Sequence, residues 1–154
     1  MIIFTSRSAA ETKRIGGKIG GLLKKKDVVA LEGELGAGKT TLVKGIAKGL
    51  GILNDREVLS PSFALIHEYA AREKIYHLDW YRLGSVKGTD ESSAEECFQS
   101  GAVVLIEWAN RGRSVLPAEH IRIQLEHTGP KSRKVKISAT GKKYRDFLNE
   151  IVKL

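Results

Sequence analysis

Amphipathic helices are the clearest elements in the pattern of apolar and polar positions. Ser8 and Glu11 have capping-box spacing, and apolar residues follow at helical intervals, so we predict a first helix that ends in the lysine run 24–26. The same periodicity predicts a second helix over residues 39–50 and a third over residues 142–152. Each of these helices has one apolar stripe, which indicates that it packs on one side only.

Short apolar or alternating segments between the helices predict the strands of a sheet. Residues 27–32 and 102–106 are continuously apolar or nearly so, as strands buried on both faces are. Two hairpins are predicted, pairing 63–69 with 74–79, and 121–125 with 135–139 across Gly129-Pro130. The polar stretch 84–96 predicts a loop with one weak helix at most. The pattern as a whole predicts an α/β domain with a mixed parallel and antiparallel sheet.

Length and composition favour a single globular domain over residues 1–154. A hydrophobic content of 42% and a charged content of 29% exclude a disordered chain. No apolar run approaches the roughly 18 residues of a membrane span. The lone Cys97 cannot form an internal disulfide, so we predict a cytoplasmic protein in which this cysteine is a small buried residue.

The net charge of +8 is distributed unevenly along the chain. Residues 111–154 contain eleven basic and four acidic residues, a net charge of +7. This basic C-terminal third predicts attraction to an acidic partner or to nucleic acid. A solvated lysine face that only keeps the protein soluble is an equally good interpretation.

Residues 33–40 read Gly-Glu-Leu-Gly-Ala-Gly-Lys-Thr and match the phosphate-loop pattern G-x-x-x-x-G-K-[ST] in full. The glycines allow the backbone amides to surround phosphate oxygens, and the following helix directs its positive end at the same anion. The pattern places the ammonium of Lys39 at the β- and γ-phosphates and the hydroxyl of Thr40 at Mg²⁺. An apolar strand before the loop and an amphipathic helix after it provide the expected context. A glycine-rich turn without a ligand is the weaker interpretation.

Two carboxylates are candidates for the metal-binding part of such a site. Glu107 ends the apolar run 102–106, so we expect it at the sheet edge where the phosphates lie. Asp79 follows another strand and is expected to reach Mg²⁺ through water. The alternatives are a Glu107 that simply turns toward solvent and an Asp79 paired with Arg82. Trp108 either covers the nucleotide or a partner surface, or packs in the core.

No histidine or cysteine lies at metal-ligand spacing from another. His77 is interpreted as an ordinary strand residue. No zinc site is predicted.

Taken together and in order, these motifs resemble the bacterial TsaE (formerly YjeE) family. The resemblance covers roughly residues 10 to 140. The matching blocks are Glu11-Thr12 with Gly16, the phosphate loop 31–41, Ser60-Pro61-Ser62-Phe63, His77-Leu78-Asp79-Trp80-Tyr81-Arg82-Leu83, and Ile106-Glu107-Trp108 followed by Leu116-Pro117. The chain departs from the family pattern in the polar stretch 84–100, where relatives carry a hydrophobic, acidic helix, and in Trp80, which replaces a leucine.

The resemblance implies a P-loop NTPase-like three-layer domain that uses ATP and Mg²⁺. It implies that Lys39, Asp79 and Glu107 are catalytic and that Thr40, Glu107 and Asp79 serve the metal. The nucleotide-binding set implied by the loop and the family is Thr12, Gly33, Glu34, Leu35, Gly36, Ala37, Gly38, Lys39, Thr40, Thr41, Ser62, Trp108, Asn110 and Arg133.

The family further implies an ATPase that supports threonylcarbamoyladenosine modification of tRNA. It would bind a TsaB–TsaD heterodimer and allow its repeated turnover, and it would meet tRNA indirectly or through the basic C-terminal third. A small-molecule P-loop kinase is the main alternative, with Arg111 and Arg113 as candidate phosphate-binding arginines. A nucleotide-dependent binding module with negligible hydrolysis is a third possibility.

Overall fold

Seven strands form one sheet in the computed structural model, which describes all 154 residues. The strands are β1 (Ile2–Ser6), β2 (Val28–Gly33), β3 (Ile66–Tyr69), β4 (Ile75–Asp79), β5 (Val103–Glu107), β6 (His120–His127) and β7 (Arg133–Thr140). The helices are α1 (Ala9–Leu22), α2 (Lys39–Gly49), α3 (Thr89–Gln99) and α4 (Arg145–Val152). The strand order is β1-β7-β6-β2-β5-β4-β3.

The centre of the sheet is parallel and its margins are antiparallel. Strands β6, β2, β5 and β4 run in one direction, and the edge strand β1 shares it, whereas β7 and β3 run in the other. The predicted mixed α/β fold and both predicted hairpins are therefore confirmed. The carboxyl ends of β2, β4 and β5 meet at one edge, so the residues that follow these strands converge there.

Helices cover both faces of the sheet and create two cores. Along β2, Val29 and Leu31 face the larger core with α1, α2 and α4, whereas Val28 and Ala30 face the smaller core with α3. Helices α1 and α2 lie so close together that a Cβ at Gly45 would clash with the Lys13 carbonyl oxygen. The sheet and the helices on its two faces thus form three layers, and the phosphate loop connects β2 to α2.

The structure differs from the predicted elements in five places. Residues 63–65, predicted as the start of a strand, lie in the turn before β3. Strand β1 was not predicted, and it pairs with β7 as an edge strand. The predicted weak helix is real and extends to residue 99, with only Ala94 and Cys97 buried. Helix α1 ends at Leu22, so lysines 24–26 lie in the turn beyond it. The C-terminal helix begins as a 3₁₀ turn over Lys142–Tyr144.

Two further observations concern burial. Cys97 is buried, as predicted, and burial raises the pKa of its thiol. None of the four helices has the length and apolar character needed to cross a membrane.

Candidate functional site

The loop between β2 and α2 has the backbone shape that its sequence predicts. Gly36 and Gly38 have φ angles of 77° and 106°, a left-handed conformation that other residues rarely adopt. Gly38 caps α2 and offers no side chain, so no side chain accepts from the first amides of the helix. A free helix N-terminus beside a glycine-rich turn is a ready binding site for a phosphate group.

Lys39 lies at the centre of this loop. Its Nζ donates to the carbonyl oxygens of Gly33 at 2.6 Å and Glu34 at 2.8 Å. Burial lowers the pKa of Lys39, and the carboxylates of Glu107 and Asp79 offset part of that shift. The buried ammonium is therefore a positive charge held at the loop.

Trp108 covers Lys39 from the end of β5. Its ring centroid lies 4.1 Å from the Lys39 ammonium and 4.9 Å from the ring of Tyr81. Trp108 has a φ of 58°, which is uncommon for a bulky residue and turns the chain sharply after the strand. Its indole thus lines the cleft and also packs against the smaller core, and its contact with the nucleotide stays a prediction.

Glu107 and Thr40 meet beside the loop. The Thr40 hydroxyl donates to one carboxylate oxygen of Glu107 over 2.7 Å, and Nε2 of His77 lies 2.7 Å from the other oxygen. Glu107 is buried, so the interpretation that it turns toward solvent is wrong. Its position follows from the register, because Glu107 is the last residue of β5, one strand away from the loop.

Asp79 pairs with Glu107 in register and lies on the same face of the sheet. Its carboxylate accepts from the Ser60 hydroxyl at 2.6 Å and from the Tyr81 amide at 2.8 Å. The alternative pairing with Arg82 does not form, since that guanidinium lies 3.8 Å from the ring centroid of Phe63. Asp79 instead connects β4 to the segment that contains Ser60.

These groups surround a cleft of about 430 Å³. It is lined by Leu35, Gly36, Gly38, Lys39, Thr40, Thr41, Ser60, Ser62, Asp79, Tyr81, Glu107, Trp108 and Arg133. The structure thus brings together predicted residues that lie far apart in the sequence. Arg133 reaches the loop from β7, with Nη1 3.4 Å from the Ala37 carbonyl oxygen.

The oxygen-rich donor set of this cleft suits Mg²⁺. A hydroxyl and two buried carboxylates converge there, and Mg²⁺ prefers oxygen ligands from one or two carboxylates plus substrate phosphates. No group of three or more His, Cys, Asp or Glu side chains has the geometry to hold a metal ion unaided. The arrangement therefore fits a metal that arrives with a phosphate ligand.

A second cavity of about 440 Å³ lies on the other side of the loop. Asn110 lines it, together with Glu34 and Gln124, and Trp108 borders both spaces. Glu32 is buried beside this cavity and accepts hydrogen bonds from Arg113 and Arg122. Neither contact is predicted from the sequence.

Thr12 lies apart from both spaces. It is fully buried, and its hydroxyl is bonded to the Ser6 hydroxyl at 2.8 Å and to the Ser8 carbonyl oxygen at 3.1 Å. Ser6 pairs in register with Arg133, which lines the cleft, but Thr12 itself lines neither cavity. Its assignment to the nucleotide stays a prediction from the family resemblance.

Two partners of the cleft carboxylates are not among the predicted site residues. His77 is predicted only as a strand residue, yet its Nε2 lies 2.7 Å from Glu107. Ser60 is predicted only as part of a matching segment, yet its hydroxyl donates to Asp79. The spacing of His77 two residues before Asp79 places both side chains on one face of a strand, which was the available signal.

Comparison with known proteins shows the family of this chain. The family model described as "Threonylcarbamoyl adenosine biosynthesis protein TsaE" matches residues 6–135. A "tRNA threonylcarbamoyladenosine biosynthesis protein TsaE" from Treponema pallidum is 41% identical over 133 residues, covering 86% of this chain and 97% of that protein. The Bacillus subtilis protein of the same name is 38% identical over 142 residues, covering 92% and 87%.

The fold comparison gives the same result. The crystal structure of Bacillus subtilis YdiB superposes with a TM-score of 0.85 at 34% identity, covering 99% of this chain and 94% of that one. The family model and the relatives each span most of the chain, including the loop, Asp79 and Glu107. The chain therefore belongs to the TsaE family, whose role is in the biosynthesis of threonylcarbamoyladenosine in tRNA.

Proposed function

We propose that this chain is a Mg²⁺-dependent P-loop ATPase of the cytoplasm that supports tRNA modification by acting on a partner. ATP hydrolysis would allow a TsaB–TsaD-like heterodimer, bound by this chain, to turn over repeatedly. One observation carries the proposal, namely the 2.7 Å contact between the Thr40 hydroxyl and Glu107 beside the glycine-rich loop. Phosphoryl-transfer sites of this type need a loop for phosphates, and a hydroxyl and carboxylate for the metal.

The loop amides and Lys39 would bind the phosphates of ATP. Lys39 donates to two loop carbonyls, which holds its ammonium at the loop where the β- and γ-phosphates would bind. The remaining nucleotide contacts would come from Thr12, residues 33–41, Ser62, Trp108, Asn110 and Arg133. Trp108 covers the ammonium, and Arg133 adds a second cation on the side of β7.

Thr40 and Glu107 would hold the metal, and Asp79 would orient a water molecule bound to that metal. When bound, Mg²⁺ neutralises the charge that develops on the phosphate oxygens. Asp79 is suited to an indirect role, because both of its oxygens already accept hydrogen bonds from Ser60 and Tyr81. Glu107 has one oxygen directed to Thr40, where a metal ligand is needed.

The segment Ser60–Phe63 would act as a nucleotide-dependent clamp. Ser60 connects it to Asp79, and Ser62 lines the cleft. A γ-phosphate and its metal would order this segment, and hydrolysis would release it. The energy of ATP would thus change the affinity for the partner.

Exposed apolar side chains surround the cleft and support a partner surface there. Phe63 is 83% exposed and Leu35 is 72% exposed, and Tyr81 is also exposed. Large apolar residues around a polar cleft are typical of a surface that a protein partner covers. We propose that the heterodimer contacts this rim and thereby reaches the nucleotide.

The basic C-terminal third is proposed to attract tRNA or the complex that carries it. The structure divides these lysines between two edges of the sheet. Lys131 and Lys134 lie near the β6–β7 turn on the side of the cleft, whereas Lys142 and Lys143 follow β7 at the opposite edge. Lys143 is paired with Asp27 at 2.9 Å.

The small-molecule kinase is the weaker proposal. Its candidate arginines have other partners, since Arg113 binds Glu32 and Arg111 donates to the Leu83 carbonyl oxygen. Neither residue lines the cleft beside Lys39.

Phosphate release with and without the TsaB–TsaD heterodimer tests the proposal. We expect weak Mg²⁺-dependent hydrolysis alone, faster hydrolysis with the heterodimer, and stronger capture of the heterodimer in ATP than in ADP. Lys39→Ala should abolish all three effects, and Lys48→Ala, at an exposed position on the same helix, should preserve them. Nucleotide binding without any hydrolysis under these conditions would favour the binding-module alternative.

A further inference from the structure

We propose that His77 is a positioning residue for Glu107. Its imidazole holds one oxygen of the carboxylate, so that the other oxygen stays directed to Thr40 and the metal position. The proposal rests on the proposed function, because it assigns a role to His77 within that same site.

The contacts around the carboxylate are the first support. Oε2 of Glu107 lies 2.7 Å from Nε2 of His77, and Oε1 lies 2.7 Å from the Thr40 hydroxyl. His77 is fully buried and Glu107 is nearly so. Two short contacts at opposite oxygens fix the plane of the carboxylate, which a single contact would leave free to rotate.

The hydrogen-bonding capacity of the ring is the second support. An ionised carboxylate only accepts hydrogen bonds, so Nε2 of His77 must donate. Nδ1 is buried and has no partner. In the neutral ring the proton therefore belongs on Nε2, because the other tautomer would leave an N–H buried without an acceptor.

The position of His77 in the sheet is the third support. His77 precedes Asp79 by two residues on β4 and so shares its face of the sheet. Asp79 pairs with Glu107 on the neighbouring strand, which brings His77 diagonally beside that carboxylate. Two adjacent strands thus supply the carboxylates and the ring that orients one of them.

Removing the donor should weaken the metal site selectively. Residues that orient metal ligands change metal affinity by about 10- to 100-fold when they are replaced. Nucleotide affinity without metal should not change, because the loop amides and Lys39 do not contact His77. A merely structural role of His77 would lower both affinities together, or neither.

The test compares three substitutions at one position. His77→Gln keeps an amide N–H near the place of Nε2, whereas His77→Asn and His77→Phe place no donor there. His67→Asn is the matched control, since His67 is the cross-strand neighbour of His77 and contacts Leu59 instead of Glu107. Mn²⁺ binding in the presence of ATP is measured by electron paramagnetic resonance, and ATP affinity is measured separately in EDTA.

We expect Asn and Phe to raise the Mn²⁺ dissociation constant by about 10- to 100-fold. Gln and the His67 control should stay near the parent value, and ATP affinity in EDTA should be equal in all five proteins. Parent-like Mn²⁺ affinity in His77→Asn or His77→Phe would overturn the inference. A parent protein that binds no Mn²⁺ with ATP would overturn the proposed function itself.

A measurement on the unsubstituted protein covers the case in which these variants do not fold. Nitrogen NMR of ¹⁵N-histidine distinguishes the two ring nitrogens of His77. We expect a protonated Nε2 whose resonance moves when Mg²⁺ and ATP are added. A proton on Nδ1, or a resonance that ignores the metal, would contradict the assigned role.

Discussion

Two buried glutamates lie at the same edge of the sheet but have different hydrogen-bond partners. Glu32 lies near the end of β2 and faces the smaller core, whereas Glu107 ends the adjacent β5 and faces α2. Glu32 accepts from Arg113 at 2.9 and 3.1 Å and from Arg122 at 2.7 Å. Glu107 has only a hydroxyl and an imidazole as hydrogen-bond partners.

Two arginines neutralise the carboxylate of Glu32, whereas no arginine or lysine forms a hydrogen bond with Glu107. Burial alone would raise the pKa of Glu32, but its hydrogen bonds to Arg113 and Arg122, with their positive charges, outweigh burial and lower it. The charge of Lys39 interacts with Glu107, but its hydrogen bonds go to backbone carbonyls. We infer that Glu32 stabilises the fold and that Glu107 binds a cation that arrives with the nucleotide.

The largest expected effect concerns Lys39, the buried ammonium of the phosphate loop. Lys39→Ala should weaken ATP binding by roughly 1.5–3 kcal/mol, or about 10- to 150-fold, because charge-assisted hydrogen bonds to phosphate disappear. Calorimetry on the folded variant measures this loss. Lys48→Ala removes a charge from the same helix and should bind like the parent. Equal ATP affinity in both variants would refute the assignment of the loop.

Replacing Glu32 tests the other half of the comparison. Glu32→Gln should lower the free energy of unfolding by about 1–3 kcal/mol, since two arginines lose a charged acceptor while staying partly exposed. Urea unfolding measures the change, and hydrolysis by the folded protein should be preserved. Glu126→Gln is the control, because its pair with Lys136 is exposed and should matter little. A loss of Mg²⁺-dependent hydrolysis in folded Glu32→Gln would contradict the inference that Glu32 serves the fold and not the metal.

The stabilising effect of Glu32 should also depend on pH. Its pKa is lower in the folded protein than in the unfolded chain, so its contribution is complete above the unfolded value of roughly 4.3. The contribution is lost as the pH falls through the lower, folded value. The difference in unfolding free energy between parent and Glu32→Gln should therefore shrink in acid. A difference that is constant from neutral pH to strongly acidic pH would contradict the charged pairing.

The smallest effect is expected for the lysines outside both clefts. Lys136 and Lys143 already pair with acidic neighbours. Reversing the charges of Lys131, Lys134 and Lys142 should lower association with tRNA or its partner complex and flatten the salt dependence, because fewer counterions are released. Partner-free ATP affinity should not change. The same net change at Lys44, Lys48 and Lys87 serves as the control.

Binding measured at two salt concentrations decides between the two interpretations of these lysines. A parent-like salt slope in the first variant would identify them as a solvated face. Equal losses in both variants would indicate a response to net charge alone.

The sequence alone predicted the parts of the cleft that come from contiguous segments of the chain. The loop, the apolar run before Glu107 and the strand before Asp79 are each contiguous, so each could be placed at one edge of a sheet. Strand β1 was missed because it is a short edge strand whose alternate residues are exposed. Helix α3 was underestimated because it buries only Ala94 and Cys97 and therefore has little apolar stripe.

Long-range polar contacts could not be predicted from the sequence. Glu32 meets arginines 81 and 90 residues away, and Glu107 meets His77 across 30 residues. Such pairs depend on which strands become neighbours and in what register, which local periodicity does not specify. The sequence therefore predicted the chemical groups of the cleft but not the residues that hold them in position.

The most direct test is the gain in ATP affinity that Mg²⁺ provides, measured in the parent, Glu107→Gln and Glu32→Gln. Calorimetric titrations with Mg²⁺ and with EDTA give this gain for each protein. We predict that the gain is lost in Glu107→Gln and kept in Glu32→Gln, while affinity in EDTA is the same in all three, because the loop amides and Lys39 bind the phosphates without the metal. A full Mg²⁺ gain in folded Glu107→Gln would contradict the account.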